Sequence, residues 1–133
     1  MNLINFQKEL ITAKKAAKAA GAVLLNKKDI LNNSIFTSDR DVKLEADVVS
    51  ENLIKDIIKN ESSFPILAEE SGRSLDNLGD TFWVVDPLDG TANYTRDIPL
   101  CCVSIALVSN LNPVIGVIYD FNNDDLYEGT KEN

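Results

Sequence analysis

The sequence predicts an α+β fold in which two helices pack on an antiparallel sheet. Two segments place apolar residues at the three- and four-residue spacing of amphipathic helices, one from about Leu3 to Lys27 and one from Glu45 to about Asn60. The second half of the chain instead carries short apolar runs separated by turn-prone residues, which is typical of strands joined by hairpins. With 133 residues, 44% of them hydrophobic, the chain is long enough for one domain with its own core.

The composition excludes several classes of function. The formal net charge of −8 argues against a nucleic-acid partner, and the absence of histidine excludes Ser-His-Asp catalysis and histidine-ligated zinc. Charged residues interrupt the N-terminal segment, and no apolar run reaches the length of a membrane span, so we expect no signal peptide and no membrane partner. Cys101 and Cys102 are adjacent in an apolar run and point to opposite faces of a strand, so we expect reduced thiols and a cytoplasmic protein.

The apolar residues of the two predicted helices define the faces that should pack on the sheet. In the first helix this face is shallow and rich in alanine, and it consists of Phe6, Leu10, Ala13, Ala17, Ala20 and Leu24. In the second it consists of Ala46, Val49, Leu53 and Ile57, widened by Ile54 and Ile58. Asp47 falls in the first turn of the second helix, where a negative charge is favoured by the helix dipole without any functional role.

Loops and short strands account for the rest of the chain. Residues 28–41 are polar around Ile35 and Phe36, so we expect a mobile loop with room for one short strand. The predicted strands are Phe64–Ala68, Phe82–Val85, Cys101–Val108, Val114–Tyr119 and one that begins at Leu126–Tyr127. Residues 71–81 predict a surface loop, and residues 109–113 predict a hairpin connection.

The stretch around Asp86 brings together residues suited to a metal ion and a phosphate. The strand Phe82–Val85 should end at Asp86, because Pro87 removes a backbone donor. Asp86 and Asp89 then supply hard oxygen ligands, and Gly90 precedes what reads as a short helix opened by Thr91. The free N–H groups at such a helix start favour an anion. Metal and phosphate in one loop indicate phosphoryl chemistry.

Three motifs carry a resemblance to a known family. The run Asp86–Tyr94 resembles the signature loop of the inositol monophosphatase family of Mg²⁺-dependent, lithium-sensitive phosphatases. Glu69-Glu70-Ser71 resembles the family's upstream acidic pair, and Glu45-Ala46-Asp47 resembles its early aspartate motif. The motifs stand in the family's order and span nearly the whole chain, but they match only the N-terminal half of a typical member. The resemblance therefore implies half of an αβαβα sandwich.

The resemblance also implies a role for each site residue. Two or three Mg²⁺ ions would be held by Glu69, Asp86, Asp89 and the Leu88 carbonyl, with the loop at 28–41 contributing to the third site. The amides of Gly90 and Thr91 would hold the phosphate. The Thr91 hydroxyl, hydrogen-bonded to Asp47, would position the attacking water, and Glu70 would support the site. Lys43 stands where the family commonly has a hydroxyl residue, and its role is open between an ion pair and a positive charge near the substrate.

The function implied is Mg²⁺-dependent hydrolysis of a small phosphorylated sugar or inositol. Relatives also act on 3′-phosphoadenosine 5′-phosphate or fructose bisphosphate, so those substrates stay as alternatives. Because a second α/β domain with a further metal-ligating aspartate is expected after residue 133, three interpretations are open. The chain is the first half of a split or truncated phosphatase, an oligomer that completes its site from a neighbouring copy, or a non-catalytic metal- or phosphate-binding module.

Overall fold

The computed structural model of the chain describes residues 5–31, 34–37, 42–69, 71–73 and 77–131. Its helices are α1 (Gln7–Asn26), α2 (Lys28–Leu31), α3 (Glu45–Glu61) and α4 (Thr91–Thr95). Its strands are β1 (Ser34–Thr37), β2 (Val42–Leu44), β3 (Ile66–Ala68), β4 (Gly72–Arg73), β5 (Thr81–Asp89), β6 (Cys102–Ser109), β7 (Asn112–Asp120) and β8 (Asp125–Thr130). The predicted α+β class is confirmed.

The main sheet has six strands in the order β4-β3-β5-β6-β7-β8. Its pairs are antiparallel except for β3 and β5, which run parallel, so the sheet is mixed where the sequence predicted antiparallel pairing throughout. The strand β4 pairs antiparallel with the outer edge of β3 and so carries the chain back toward the start of β3. The strand β5 then begins on the other side of β3 and runs in the same direction as β3. Ala68 lies opposite Val85, so the next residues are brought side by side, with Glu69 just after the end of β3 and Asp86 within β5.

The helix α1 packs on β6 and β7 through the face predicted from its sequence. Leu10, Ala17 and Leu24 on this face are buried, and Phe6 packs against the core. On the two strands that α1 contacts, Ile105, Val117 and Tyr119 are also buried. The alanines allow the close approach, since they bring little volume between the helix axis and the sheet.

The helix α3 packs on β5 and on α1, but its buried face differs from the predicted one. Val49 and Ile57 are only partly buried. The fully buried residues are Ala46, Asp47, Ser50, Glu51, Ile54 and Ile58. The prediction of a purely apolar stripe was wrong at its N-terminal end, because polar side chains with partners in the fold can be buried there in place of apolar ones.

Turns near the remaining strands are tighter than predicted. The β6–β7 connection is the pair Asn110-Leu111, with φ of 51° and 65°, and β7 already begins at Asn112. Pro113 therefore lies inside β7, opposite Val108, where the register shifts. The segment 28–41, predicted as a loop with room for one short strand, holds α2 and the strand β1, which pairs with β2 just beyond it. Residues 32–33 and 38–41 lie outside the described residues.

Two expectations drawn from composition can be compared with the described residues. Cys101 and Cys102 are both free thiols, as predicted. None of the helices in the described ranges is long and apolar enough to cross a membrane.

Candidate functional site

The acidic loop, which we define as residues 86–91, is built on an irregular end of β5. The strand does not end at Asp86, as predicted, but continues to Asp89, and its register with β6 shifts between the pairs Asp86–Ser104 and Asp89–Cys102. A proline is compatible with a strand at such an irregularity, because the ladder there requires no N–H from it. The shift bends the chain and displays Asp89 at the surface.

A buried carboxylate on α3 holds the loop from below. Asp47 is only 1% exposed, and its Oδ1 accepts a hydrogen bond of 3.0 Å from the Thr91 hydroxyl. Its Oδ2 accepts a second bond of 2.8 Å from the Leu44 N–H, which is one of the free donors at the start of α3. The pairing of Asp47 with Thr91, implied by the resemblance, is therefore present in the structure.

A second contact from α3 to the loop was not foreseen. The Ser50 hydroxyl, fully buried, donates a 2.8 Å hydrogen bond to the Pro87 carbonyl. Ser50 lies three residues after Asp47, so both side chains leave the same face of α3. The sequence signal was the pair of polar residues at this spacing on a helix otherwise read by its apolar stripe.

Gly90 is required by the shape of the loop. Its φ is +92°, and a Cβ at this position would lie 2.7 Å from the Leu100 carbonyl oxygen. Its own carbonyl accepts the first bond of α4, from the Tyr94 N–H at 3.0 Å. The Asn93 side chain donates to Leu100 O at 2.8 Å, which ties the end of the loop to the start of β6. Both the backbone angle and the lack of space therefore demand glycine.

Tyr94 anchors α4 in the core. Its hydroxyl donates a 2.7 Å hydrogen bond to the Leu24 carbonyl near the end of α1, and its ring is 1% exposed. Burial, followed by the negative charges nearby, raises the pKa of Tyr94 to about 12. The hydroxyl therefore stays protonated and keeps donating at neutral pH. The Lys28 ammonium lies 4.7 Å from the ring centroid and also bonds Asp97, so α2 is fixed to the same helix.

Hydrogen bonds with backbone groups hold Glu69, Asp86 and Leu88, three of the four proposed metal ligands. The Glu69 N–H donates to Val85 O at 3.2 Å, which fixes Glu69 beside Asp86. The Asp86 carboxylate accepts a 3.3 Å bond from the Leu88 N–H, and the Leu88 carbonyl accepts one of 3.1 Å from Thr91. Across the described ranges, no three acidic, cysteine or histidine side chains converge closely enough to hold a metal ion. Glu70 and the Lys43 side chain lie outside the described part of the structure.

A cavity of about 470 Å³ opens beside the loop, on the side of β6. Its lining includes Asp89, Gly90, Asn93, Cys102 and Asp120. The Cys102 sulfur lies 3.9 Å from Asp89 Oδ2. Burial, with the charges of the neighbouring aspartates, raises the pKa of Cys102 to about 11, so the thiol is protonated at neutral pH. Neither Cys102 nor Asp120 was predicted to lie beside the site.

The fold and the loop together define a class of α+β domain whose central strand ends in an acidic, glycine-containing turn held by a buried aspartate. Residues 6–133 match the model of the inositol monophosphatase family, and the chain belongs to this family. It is 40% identical over 121 residues to the Nus factor SuhB of Xylella fastidiosa, covering 88% of this chain and 43% of that protein. It is 36% identical to the fructose-1,6-bisphosphatase/inositol-1-monophosphatase of Aquifex aeolicus, covering 96% of this chain and 49% of that protein.

Solved structures of the family have the same fold over the described chain. SuhB of Bartonella henselae superposes with a TM-score of 0.85 at 32% identity, covering 94% of this chain and 50% of that one. Inositol monophosphatase of Anabaena gives a TM-score of 0.80 at 40% identity, covering 96% of this chain and 45% of that one. The chain thus spans about half the length of the relatives it matches.

Proposed function

We propose that this chain carries the metal- and phosphate-binding half of a Mg²⁺-dependent phosphomonoesterase that acts on a small phosphorylated sugar or inositol. The observation that carries the proposal is the hydrogen bond from Thr91 to the buried Asp47, formed inside a loop that also presents Asp86 and Asp89. Besides holding the loop, this bond fixes a hydroxyl in the same loop as two carboxylates, an arrangement suited to orienting a water molecule for phosphoryl transfer. Membership of the inositol monophosphatase family supports phosphatase chemistry in general.

The donor set at the loop fits Mg²⁺. The carboxylates of Glu69, Asp86 and Asp89 and the Leu88 carbonyl are all oxygen donors, which this hard cation prefers. The Leu88 carbonyl already accepts a bond from Thr91, but a carbonyl oxygen has a second lone pair to offer. When bound, Mg²⁺ supplies the positive charge that draws a phosphate to an acidic protein and polarises its oxygens. Glu70 is proposed to support this set.

The chain's own residues would orient the two reacting groups. The proton of the Thr91 hydroxyl is shared between Asp47 and the Leu88 carbonyl, and the charged carboxylate is the stronger acceptor. The Thr91 oxygen therefore presents its lone pairs to a water molecule, which can be turned with its own lone pair toward phosphorus. The Gly90 and Thr91 N–H groups would hold the phosphate oxygens. Attack by water breaks the ester P–O bond and releases the alcohol.

The substrate proposal follows the relatives. Proteins similar to this chain are named inositol-1-monophosphatase and fructose-1,6-bisphosphatase/inositol-1-monophosphatase. We propose an inositol or sugar monophosphate as the first substrate to test, with fructose bisphosphate and 3′-phosphoadenosine 5′-phosphate as the alternatives. We further propose that turnover needs a second half, supplied either by a complementary C-terminal domain or by another copy of this chain.

The first experiment measures Mg²⁺ binding and phosphate release together. Mg²⁺ should raise the melting temperature of the purified chain. At a free Mg²⁺ concentration about ten times the dissociation constant, the free energy of unfolding should rise by about 1.4 kcal/mol. Asp89→Asn should abolish the shift, because one carboxylate ligand is lost. Asp80→Asn removes an exposed charge at the opposite end of β5 and serves as the matched control, with the shift retained.

Release of phosphate from inositol 1-phosphate is then assayed in the same samples. Mg²⁺-dependent turnover that is lost in Asp89→Asn would establish a working site in this chain. A folded chain that binds Mg²⁺ without turnover would support a binding half that needs its complement. A melting temperature that does not respond to millimolar Mg²⁺ would contradict the proposed metal site.

A further inference from the structure

We infer that Ser50 is a positioning residue for the acidic loop and that it orients Asp86 through the peptide group between Pro87 and Leu88. This inference rests on the proposed function. Ser50 lies on α3 and does not line the loop surface. Its hydroxyl is fully buried and donates to the Pro87 carbonyl at 2.8 Å. Asp86 and Asp89 are the proposed ligands on either side of that carbonyl.

The peptide between Pro87 and Leu88 is held at both ends. Its oxygen accepts from Ser50, and its N–H, on Leu88, donates to the Asp86 carboxylate at 3.3 Å. A trans peptide is planar, with oxygen and hydrogen on opposite sides, so an anchor on the oxygen also sets the direction of the N–H. Ser50 thereby fixes the donor that orients the carboxylate of Asp86.

The strand ladder does not supply this anchor itself. The register with β6 passes from Asp86–Ser104 directly to Asp89–Cys102, and Pro87 and Leu88 lie between these pairs. The carbonyls of these two residues instead accept hydrogen bonds from side-chain hydroxyls: Ser50 donates to Pro87 O, and Thr91 donates to Leu88 O. A loop freed from its ladder keeps one conformation only if such groups replace the lost partners. Ser50 is thus part of what makes the irregular end of β5 rigid.

The test compares Mg²⁺ affinity in two serine variants that lose similar hydrogen bonds at opposite ends of the β5–β6 pair. Ser50→Ala removes the anchor on Pro87. Ser109→Ala is the matched control, since the buried Ser109 hydroxyl bonds Thr81 at 2.9 Å at the far end. The dissociation constant for Mg²⁺ is obtained from urea unfolding at increasing Mg²⁺, without any need for activity.

We expect Ser50→Ala to weaken Mg²⁺ binding about tenfold, which is the usual effect of removing a group that orients a metal ligand. Ser109→Ala should lower stability while leaving the dissociation constant unchanged. Ser50→Thr keeps the hydroxyl and should retain affinity within about twofold, whereas Ser50→Cys fills the same space with a weak donor and should behave like alanine. This pair separates the hydrogen bond from packing.

Two different results would contradict the inference. If Ser50→Ala and Ser109→Ala both lose stability and both bind Mg²⁺ as the wild type does, Ser50 is only structural and the proposed function stands. If the wild type does not bind Mg²⁺ at all, the metal site itself fails, and the inference fails with it.

Discussion

The two long helices lie on the same face of one sheet but bury different kinds of surface. In α1 the buried residues are small or aliphatic, with Ala13, Ala17 and Ala20 fully buried and Thr12 the polar exception. In α3 the first two turns bury Asp47, Ser50 and Glu51 at 2% exposure or less. Both helices are comparably amphipathic in sequence, so the contrast appears only when burial is known.

The difference indicates which helix serves the site. Burying a polar group is costly unless it is hydrogen-bonded. Asp47 and Ser50 meet this condition through the loop at the end of β5, by bonds to Thr91 and to the Pro87 carbonyl. The helix α1 contributes packing, whereas α3 contributes packing at its C-terminal half and loop geometry at its N-terminal half. Substitutions in α1 should therefore lower stability alone, whereas substitutions in the N-terminal half of α3 should also change the properties of the loop.

Gly21→Val should give the largest effect, and it should be an effect on stability alone. A Cβ at Gly21 would lie 2.5 Å from two atoms of the Tyr119 ring and 2.9 Å from Phe121 Cβ. Since Tyr119 and Phe121 are themselves buried, the helix must move away from the sheet. We expect a loss of about 3 kcal/mol in the free energy of unfolding, measured by urea denaturation.

Ala22→Val is the control for this substitution, because Ala22 is the exposed neighbour in the same helix. It introduces the same β-branched side chain and should cost only about 0.5 kcal/mol, through helix propensity. The Gly21→Val chain should bind Mg²⁺ with the affinity of the wild type, as measured from urea unfolding at increasing Mg²⁺ under conditions where the variant is folded. A weakened affinity would show that α1 also shapes the loop.

Asp47→Asn should give an intermediate loss of stability together with loss of any hydrolysis. The amide keeps the size of the side chain but has one acceptor oxygen, so it can serve either Leu44 N–H or the Thr91 hydroxyl with that atom. We expect a loss of about 2 kcal/mol in urea denaturation. Mg²⁺ binding should be retained, since Asp47 is not a proposed ligand, and retained turnover would reject the role of Asp47 beside Thr91.

The sequence was sufficient to predict much of the fold, because periodicity is set by burial along each element. The face of α1 and the strands near β6 and β7 follow directly from apolar spacing. The parallel pairing of β3 and β5 did not follow, because it depends on β4, a strand of two residues. The continuation of β5 past Pro87 was missed for a related reason: proline excludes a regular ladder but not an irregular one.

The candidate site was predicted only in part, because a motif names residues but not their partners. The structure contains the hydrogen bond between Thr91 and Asp47 that the resemblance implied, and Gly90 has a positive φ, while the roles of these residues in binding and catalysis stay predictions. The contact of Ser50 was not predicted, because its three-residue spacing from Asp47 places it on the same face of α3 but does not identify a partner 37 residues away. Long-range contacts of this kind follow from the packing of α3 on β5, which the sequence specifies only through the whole fold.

Glu61→Gln should give the smallest effect on stability, and it tests the ion pair that joins α1 to the C-terminal end of α3. Glu61, at the end of α3, accepts from the Lys15 ammonium at 2.7 Å and from the Thr12 hydroxyl at 2.9 Å. These bonds, Lys15 first, hold the pKa of Glu61 below its usual value of 4.5. A carboxylate with a lowered folded-state pKa adds stability above the unfolded-state pKa, and this stability is lost as the pH falls through the folded-state pKa.

The wild type should therefore exceed Glu61→Gln slightly in stability at neutral pH, and the difference should disappear on acidification to a pH below the lowered folded-state pKa. Because Lys15 is largely exposed, the difference should also shrink in high salt. The amide oxygen of the introduced glutamine can still accept from Thr12, so the variant isolates the charge. Urea denaturation at both pH values measures the difference, and Mg²⁺ affinity should not change. An altered affinity would mean that the far end of α3 is coupled to the loop, and the division of α3 into a packing half and a positioning half would be wrong.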